Sequence, residues 1–351
     1  MFRTVCIIGC IAVFSAAVDI CIASPRRARD LLLHLSPRVD APLAACVRLP
    51  DTLFVQHAEK TVFVPHVTSL TIAENRDPCV GAEAIPDSSI ALARVNYTRL
   101  AILGGTSLTV GVGLHIYQRI AWWVGARAAF HVENDWSYAM NFDKIGHFWA
   151  TALLSSLYGD LYTWAGIERK DAVLYGAATG FLYELYVEAE DGFHRDWGFS
   201  PGDAFGDVLG AFYPVLQEQF PLLQNLNFKW SYWPDQEYLK RYGANHAFVD
   251  DYQGTTLWAT VRVHRVLPEK VRAYWPSFLN LALGLNVQGL YNGSHSERYW
   301  FLSLDYDLEE LPGSGSFWNS VKRFLNHVHL PAPAVRISPG VVWYGLFFTA
   351  H

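Results

Sequence analysis

Three pairs of ionisable residues stand four apart in this chain: Asp143 with His147, Glu184 with Glu188, and Asp203 with Asp207. On a helix, residues four apart share a face, so each pair offers two carboxylate or imidazole groups in a row. Three such helices can converge on one acidic site. A buried unpaired carboxylate is costly, and several close together retain protons until a positive charge enters. Lys144, His147, Arg195 and a divalent metal are the candidates for that charge. Oxygen-rich ligands with one imidazole suit Mg, Mn or Zn, and a metal carrying a water molecule makes hydrolysis accessible. The ligand set read from the spacing is Asp143, His147, Glu184, Glu188, Asp203 and Asp207, with a divalent metal as the candidate cofactor.

The remaining polar groups are concentrated in E-A-E-D-G-F-H-R-D-W-G-F-S-P-G-D, which runs from Glu188 to Asp203. It carries Glu188, Glu190, Asp191, His194, Arg195 and Asp196, and its glycines allow tight turns. Upstream, F-H-V-E-N-D adds His131, Glu133, Asn134 and Asp135. Asp143, Lys144, His147, Glu188 and Asp191 are the candidate acid and base groups, and Arg195 the candidate holder of an anionic group. A structural reading competes with this one. Asp143 in a first helical turn and Asp203 in a capping box both complement a helix dipole. His147 can be a hydrogen-bonded core histidine, and Arg195 can pair with Asp196 or Glu188. Glu184, Glu188 and Asp207 stand in mid-helix, where no cap accounts for them.

The elements that must carry these residues are apolar. Residues 100–118 contain no Asp, Glu, Lys or Arg, close to the roughly 20 residues that span a bilayer. Three further helical segments are expected at about 142–164, 171–190 and 201–220. Gly166 closes the first, and Ser200-Pro201-Gly202-Asp203 opens the last with a capping serine, a proline at the first position and an acid three residues after the cap. Asp160, Glu184 and Asp207 interrupt the apolar stretches, so a buried bundle fits as well as membrane helices. After Asn225 the pattern changes to a period of two. In L-N-L-A-L-G-L-N-V-Q-G-L, Leu279, Leu281, Leu283, Leu285 and Val287 share one face and Asn280, Asn286 and Gln288 the other. Such segments read as half-buried antiparallel strands. A transmembrane barrel alternates in the same way, but four or five strands do not close one. The expected class is α+β: an apolar bundle of about four helices, membrane-associated or buried, followed by an antiparallel β-rich region. The expected boundaries are 1–24, a signal peptide or anchor; 25–89, an irregular lead-in; 90–222, the bundle; and 223–351, the β-rich region.

Composition narrows the class of protein. With 351 residues, 51% hydrophobic and 17% charged, the chain is long and apolar enough for a real core. A net charge of -6 and no basic run longer than Arg26-Arg27 argue against nucleic acid as a partner. The 13 Trp, 18 Tyr and 21 Phe suit a membrane surface or an aromatic core. The first 24 residues look like a secretory leader with cleavage near Ala23 or Ser24, and the alternative is an uncleaved anchor. Three of the five cysteines lie in this leader, which leaves Cys46 and Cys79 as a candidate disulfide in an oxidising compartment. Lipobox-like strings end at Cys10 and Cys46, but neither follows a proper apolar run.

F-H-V-E-N-D, D-K-I-G-H-F, W-A-G, E-A-E-D-G-F, W-G-F-S-P-G-D and G-D-V-L-G together resemble the YfiM-like family of predicted periplasmic lipoproteins, domain of unknown function family 2279. The resemblance covers about Ala129 to Gln219. Later pieces, D-D-Y-Q-G-T-T-L-W among them, resemble longer envelope members. A weaker similarity runs to VanZ-like membrane proteins, which share a D-K-x-x-H helix start. The family pattern falls on Asp143, Lys144, His147, Glu188, Asp191, Gly192, Ser200, Asp203 and Gly210, and departs at Asp207, where a small polar residue is expected. The resemblance implies a place in the cell envelope, exported, periplasmic or membrane-associated, and no reaction. Two functions are carried forward. One is an acidic, metal-dependent site with hydrolase-like action on an envelope lipid or glycan, in contact with membrane. The other is a non-enzymatic scaffold in which the same residues form a buried polar network.

Overall fold

The computed structural model describes residues 95–243, 248–291 and 295–345, together with the backbone of three strands between residues 45 and 65. Those strands, β1 (Ala45–Leu49), β2 (Thr52–His57) and β3 (Lys60–Pro65), form a unit of their own, an antiparallel sheet in the order β1-β2-β3. The leader and Cys79 lie outside the described residues, as does the side chain of Cys46, so the expected disulfide does too.

Four helices form where the apolar segments stand: α1 (Tyr97–Ala121), α2 (Phe142–Trp164), α3 (Arg169–Asp191) and α4 (Pro201–Gln219). Local signals set their ends. The Asn96 side chain accepts from the Arg99 N–H at 3.0 Å at the start of α1, and Ser200 Oγ accepts from the Asp203 N–H at 3.1 Å at the start of α4. Gly166 follows α2 at a φ of 89°, a conformation open to glycine at little cost. The helices run alternately up and down. The Arg99 guanidinium donates to the Trp164 carbonyl at 2.7 Å, joining the start of α1 to the end of α2. Trp123 Nε1 donates to Asp191 Oδ1 at 2.6 Å, and the Ser200 N–H to Glu188 Oε2 at 2.9 Å. The ends of α1 and α3 and the starts of α2 and α4 therefore gather together, and all three ionisable pairs lie at this polar end.

Glycines let helix backbones come into direct contact, as two of them show. A Cβ on Gly176 of α3 would lie 2.4 Å from the Ser155 carbonyl oxygen, and one on Gly210 of α4 would lie 2.3 Å from that of Phe148. Both helices thus lie directly against α2, which brings the side chains at their polar ends to one place.

The C-terminal region is an open antiparallel meander in the order β4-β5-β6-β7-β8-β9. The strands are β4 (Leu226–Tyr232), β5 (Thr255–Val261), β6 (Leu279–Gln288), β7 (Glu297–Tyr306), β8 (Ala334–Ser338) and β9 (Val342–Tyr344), with helix α5 (Ser316–Leu325) between β7 and β8. One sheet face packs on the polar half of α2, where Ala139, Phe142, Leu257, Leu285 and Val287 form a core. Trp149 stacks on Trp230 at 5.7 Å. The alternation in β6 holds, but burial does not follow polarity. Asn280 and Asn286 are fully buried, whereas Leu281 and Leu283 are exposed. The physical reason is that the asparagine side is covered and hydrogen-bonded: Asn286 Nδ2 donates to the carbonyls of Gln253 and Thr255 at 2.8 and 2.6 Å. On that same buried face Lys229 pairs with Asp305 at 2.9 Å and donates to Asn326 Oδ1 at 2.8 Å.

The sheet also fixes the start of α2. Ala139, Met140 and Asn141 all have positive φ (44°, 58° and 66°), a run that costs about 1–2 kcal/mol per residue for L-amino acids. Arg298 on β7 holds this turn, its guanidinium donating to the Met140 carbonyl at 2.6 Å and to Asn141 Oδ1 at 2.7 Å.

Candidate metal centre at the polar end of the bundle

His147 stands at the centre of the cluster. Its Nδ1 lies 3.1 Å from Asp207 Oδ1 on α4. With Asp207 as the acceptor Nδ1 donates, and a cation at Nε2 takes the place of a proton there. Three carboxylate oxygens face Nε2: Asp203 Oδ1 at 3.8 Å, Asp143 Oδ1 at 3.9 Å and Glu188 Oε1 at 4.0 Å. These four groups come from α2, α3 and α4, and all three carboxylates are buried. Of these, Asp143, His147 and Asp203 bring one ligand atom each within 4.8 Å of one another, a spacing that one small divalent cation can bridge, and Glu188 approaches the imidazole outside that set. On the other side of the ring, His147, Glu184 and Asp207 bring ligand atoms within 4.8 Å of one another. Asp207 is fully buried, and its Oδ2 has no hydrogen-bond partner.

Lys144 supplies an internal positive charge. Its Nζ lies 2.7 Å from Asp135 Oδ2 and 2.9 Å from both Asp143 Oδ2 and Asp203 Oδ1. The last contact is an ion pair out of line for a hydrogen bond, since Asp203 Oδ1 has no hydrogen-bond partner. Asp135 also accepts from Ser200 Oγ at 2.5 Å, which ties the loop before α2 to the cap of α4.

Of the residues expected from spacing, the structure brings Asp143, Lys144, His147, Glu184, Glu188, Asp203 and Asp207 into one cluster. Asp191 stands at its margin, accepting from Trp123. Arg195 does not join: it is exposed in the loop after α3, and among the described residues no hydrogen bond or ion pair links its side chain to the cluster. Asp196 and Glu188 do not pair with it. Spacing along the helices misses two contributors from distant sequence. Tyr252, just before β5, donates its hydroxyl to Asp143 Oδ1 at 2.6 Å. Burial, reinforced by the Asp143 charge, holds this phenol well above its ordinary range, so it stays a donor. Asp250 accepts from Trp122 Nε1 at 2.7 Å, and burial pushes its carboxyl up to about 7 against the pull of that N–H. The only sequence signal for either is the piece D-D-Y-Q-G-T-T-L-W, which carries no helical spacing.

The segment that builds this cluster is also the segment that matches a described family. Residues 133–219 match the family described as predicted periplasmic lipoprotein (DUF2279). The match begins beside Asp135 and ends with α4, so it takes in every helical residue of the cluster and stops before the segment ahead of β5 that supplies Tyr252. No curated protein and no solved structure matches the chain. The family's description agrees with the exported, envelope location expected from the leader and the motifs, and it names no reaction.

Proposed function

We propose that this envelope protein binds a divalent cation at His147 Nε2, with Asp143, Glu188 and Asp203 as the carboxylate ligands, and that the centre serves hydrolysis of an envelope lipid or glycan. The observation that carries the reading is the set of three buried carboxylate oxygens within 3.8–4.0 Å of one imidazole nitrogen whose other nitrogen is held by Asp207. Carboxylates gathered in this way need positive charge, and one lysine does not match them in number. A cation at this position supplies Lewis acidity for an acyl or phosphoryl group. The His147 side chain keeps 20% of its surface exposed, while the three carboxylates beside it are buried. Asp191, held by Trp123 at the margin of the cluster, is the candidate acid or base, and Arg195 meets an anionic group only from the loop.

A second reading rests on Lys144. Its three carboxylate partners form a closed ionic network that fixes the register of α2 against α4 with no ligand at all. Elemental analysis of the purified protein beside an Asp143→Ala/His147→Ala variant separates the two. The cation reading expects bound metal in the wild type and its loss from the variant. Equal metal content in both sinks that reading and leaves the network. The hydrolytic part is tested separately, by incubating the metal-loaded protein with envelope lipid and glycan fractions. Release of a cleaved product that the variant does not give is the expected outcome, and no release from either fraction removes the hydrolase assignment.

A further inference from the structure

The outer surface of the bundle points to a ligand of another kind. Helix α1 is 25 residues long, and of its residues only Leu103 and Gln118 are buried. A water-soluble bundle turns the polar sides of its helices outward, and here three helices do the reverse. Leu108 and Val112 on α1, Leu174 and Leu182 on α3, and Leu209 and Phe212 on α4 are all exposed. The fourth helix, α2, is covered by α3, α4 and the sheet.

Charge marks the limits of this surface. On α1 no Asp, Glu, Lys or Arg lies between Arg99 and Arg119. On α3 the outward side is free of charge from residue 172 to 189, because Glu184 and Glu188 point inward and are buried. On α4 the same holds from residue 201 to 217, with Asp203 and Asp207 buried. At 1.5 Å per residue these stretches are about 28, 27 and 25 Å long, against roughly 30 Å for the hydrocarbon core of a bilayer. Exposed aromatic residues rim both ends. Tyr97 and Trp164 lie at one end, and Trp136, Tyr138 and Trp197 at the other. Rings with an apolar body and a polar tip favour the headgroup level.

We infer that α1, α3 and α4 present a lipid-facing belt and that the bundle is embedded in a bilayer, with the acidic centre turned inward near one rim. This goes beyond a periplasmic protein tethered by a lipidated cysteine, and it does not depend on whether a cation is bound. The occupant is a bilayer and not a second copy of the chain, because the apolar surface runs over three helices with a common thickness set by charge and aromatic residues at both ends. A dimer patch has no reason to show that limit.

The experiment uses the full chain with its own leader, produced in a bacterial host. Membranes are washed with alkaline carbonate, and the chain is compared with a Cys10→Ala/Cys46→Ala variant that removes both candidate lipidation sites. Retention of both in the membrane pellet, with release by detergent, is expected; release of the cysteine variant by carbonate overturns the inference. Val112→Asp is expected to reduce the membrane-bound fraction several-fold, because a charge is costly in lipid and free in water, while Tyr274→Asp, at an exposed site outside the bundle, leaves it unchanged. As a readout that survives misfolding of a variant, the wild-type chain is reconstituted in vesicles containing a phospholipid with a photoactivatable acyl chain. Labelling within residues 102–116, 174–182 and 205–216 supports the belt. Labelling confined elsewhere, or a detergent-free soluble monomer or oligomer, refutes it.

Discussion

Replacing Lys144 by methionine tests the centre most directly. The substitution keeps most of the apolar stem of the side chain and removes one charge, leaving Asp135, Asp143 and Asp203 without the ammonium that lies 2.7–2.9 Å from each. Lys144, Asp143 and Asp203 are all buried, so water does little to replace it. Removing one partner of a buried ion pair costs about 3–5 kcal/mol. For a domain of this size that corresponds to a fall in the unfolding midpoint of roughly 10 °C, at about 2–4 °C per kcal/mol. Thermal unfolding in detergent, followed by tryptophan fluorescence, measures it. The two readings of the cluster then part. If His147 Nε2 and the carboxylates around it hold a divalent cation, Mg, Mn or Zn supplies the lost charge, and the midpoint of Lys144→Met recovers with rising metal concentration more steeply than that of the wild type. A drop of less than about 2 °C, which on the same scale is under roughly 1 kcal/mol, refutes the estimate of what Lys144 contributes. A full drop that no divalent ion reverses refutes the cation site and leaves a structural network.

Three other outcomes are expected. Gly210→Ala places a methyl group 2.3 Å from the Phe148 carbonyl oxygen, so α4 must move off α2 at a cost of about 1–3 kcal/mol; an unchanged midpoint would show that this close approach is not needed. Asp250 holds its proton up to about pH 7 in the folded protein and releases it near pH 4 when unfolded. The folded state therefore binds more protons between those values, and stability falls as pH rises across that window, by up to about 1.4 kcal/mol per unit. Asp250→Asn removes that contribution, and chemical denaturation at pH 5 and pH 8 should show a smaller difference than in the wild type; an identical pH slope would contradict the assignment. Lys229→Met strands the fully buried Asp305 at an expected loss of about 3–5 kcal/mol, and the double change Lys229→Met/Asp305→Leu should recover most of it. Failure of the double variant to recover would mean that Asn326 and the neighbouring carbonyls depend on the lysine itself.

Local chemistry decides much of this protein before any tertiary contact. The positions of α1 to α4 follow from apolar runs closed by Gly166 and opened by Ser200-Pro201, because capping and glycine geometry act within a few residues. The convergence of Asp143, His147, Glu184, Glu188, Asp203 and Asp207 is legible for a similar reason. A helix turns spacing into a shared face, and acids in mid-helix with no cap must point at something. The period of two after Asn225 likewise reads as antiparallel strands, although β4 and α5 carry no such signal among the aromatic and polar segments around them.

What spacing cannot decide is which face lies inside. In β6 the alternation is plain, yet Asn280 and Asn286 are buried while Leu281 and Leu283 face out, because only the assembled sheet and its cover provide partners for the amides. The outward leucines and phenylalanines of the bundle are the same case. Their hydrophobicity is in the sequence, but their exposure depends on Gly176 and Gly210 turning the small sides of α3 and α4 toward α2. Tyr252 reaches Asp143 across 109 positions of chain, and no helix or strand period links residues that far apart. Arg195, expected to hold an anionic group, stays exposed in a loop whose backbone pairs with the segment after α1. Spacing along one element determines which residues can meet; the packing of separate elements decides which of them do.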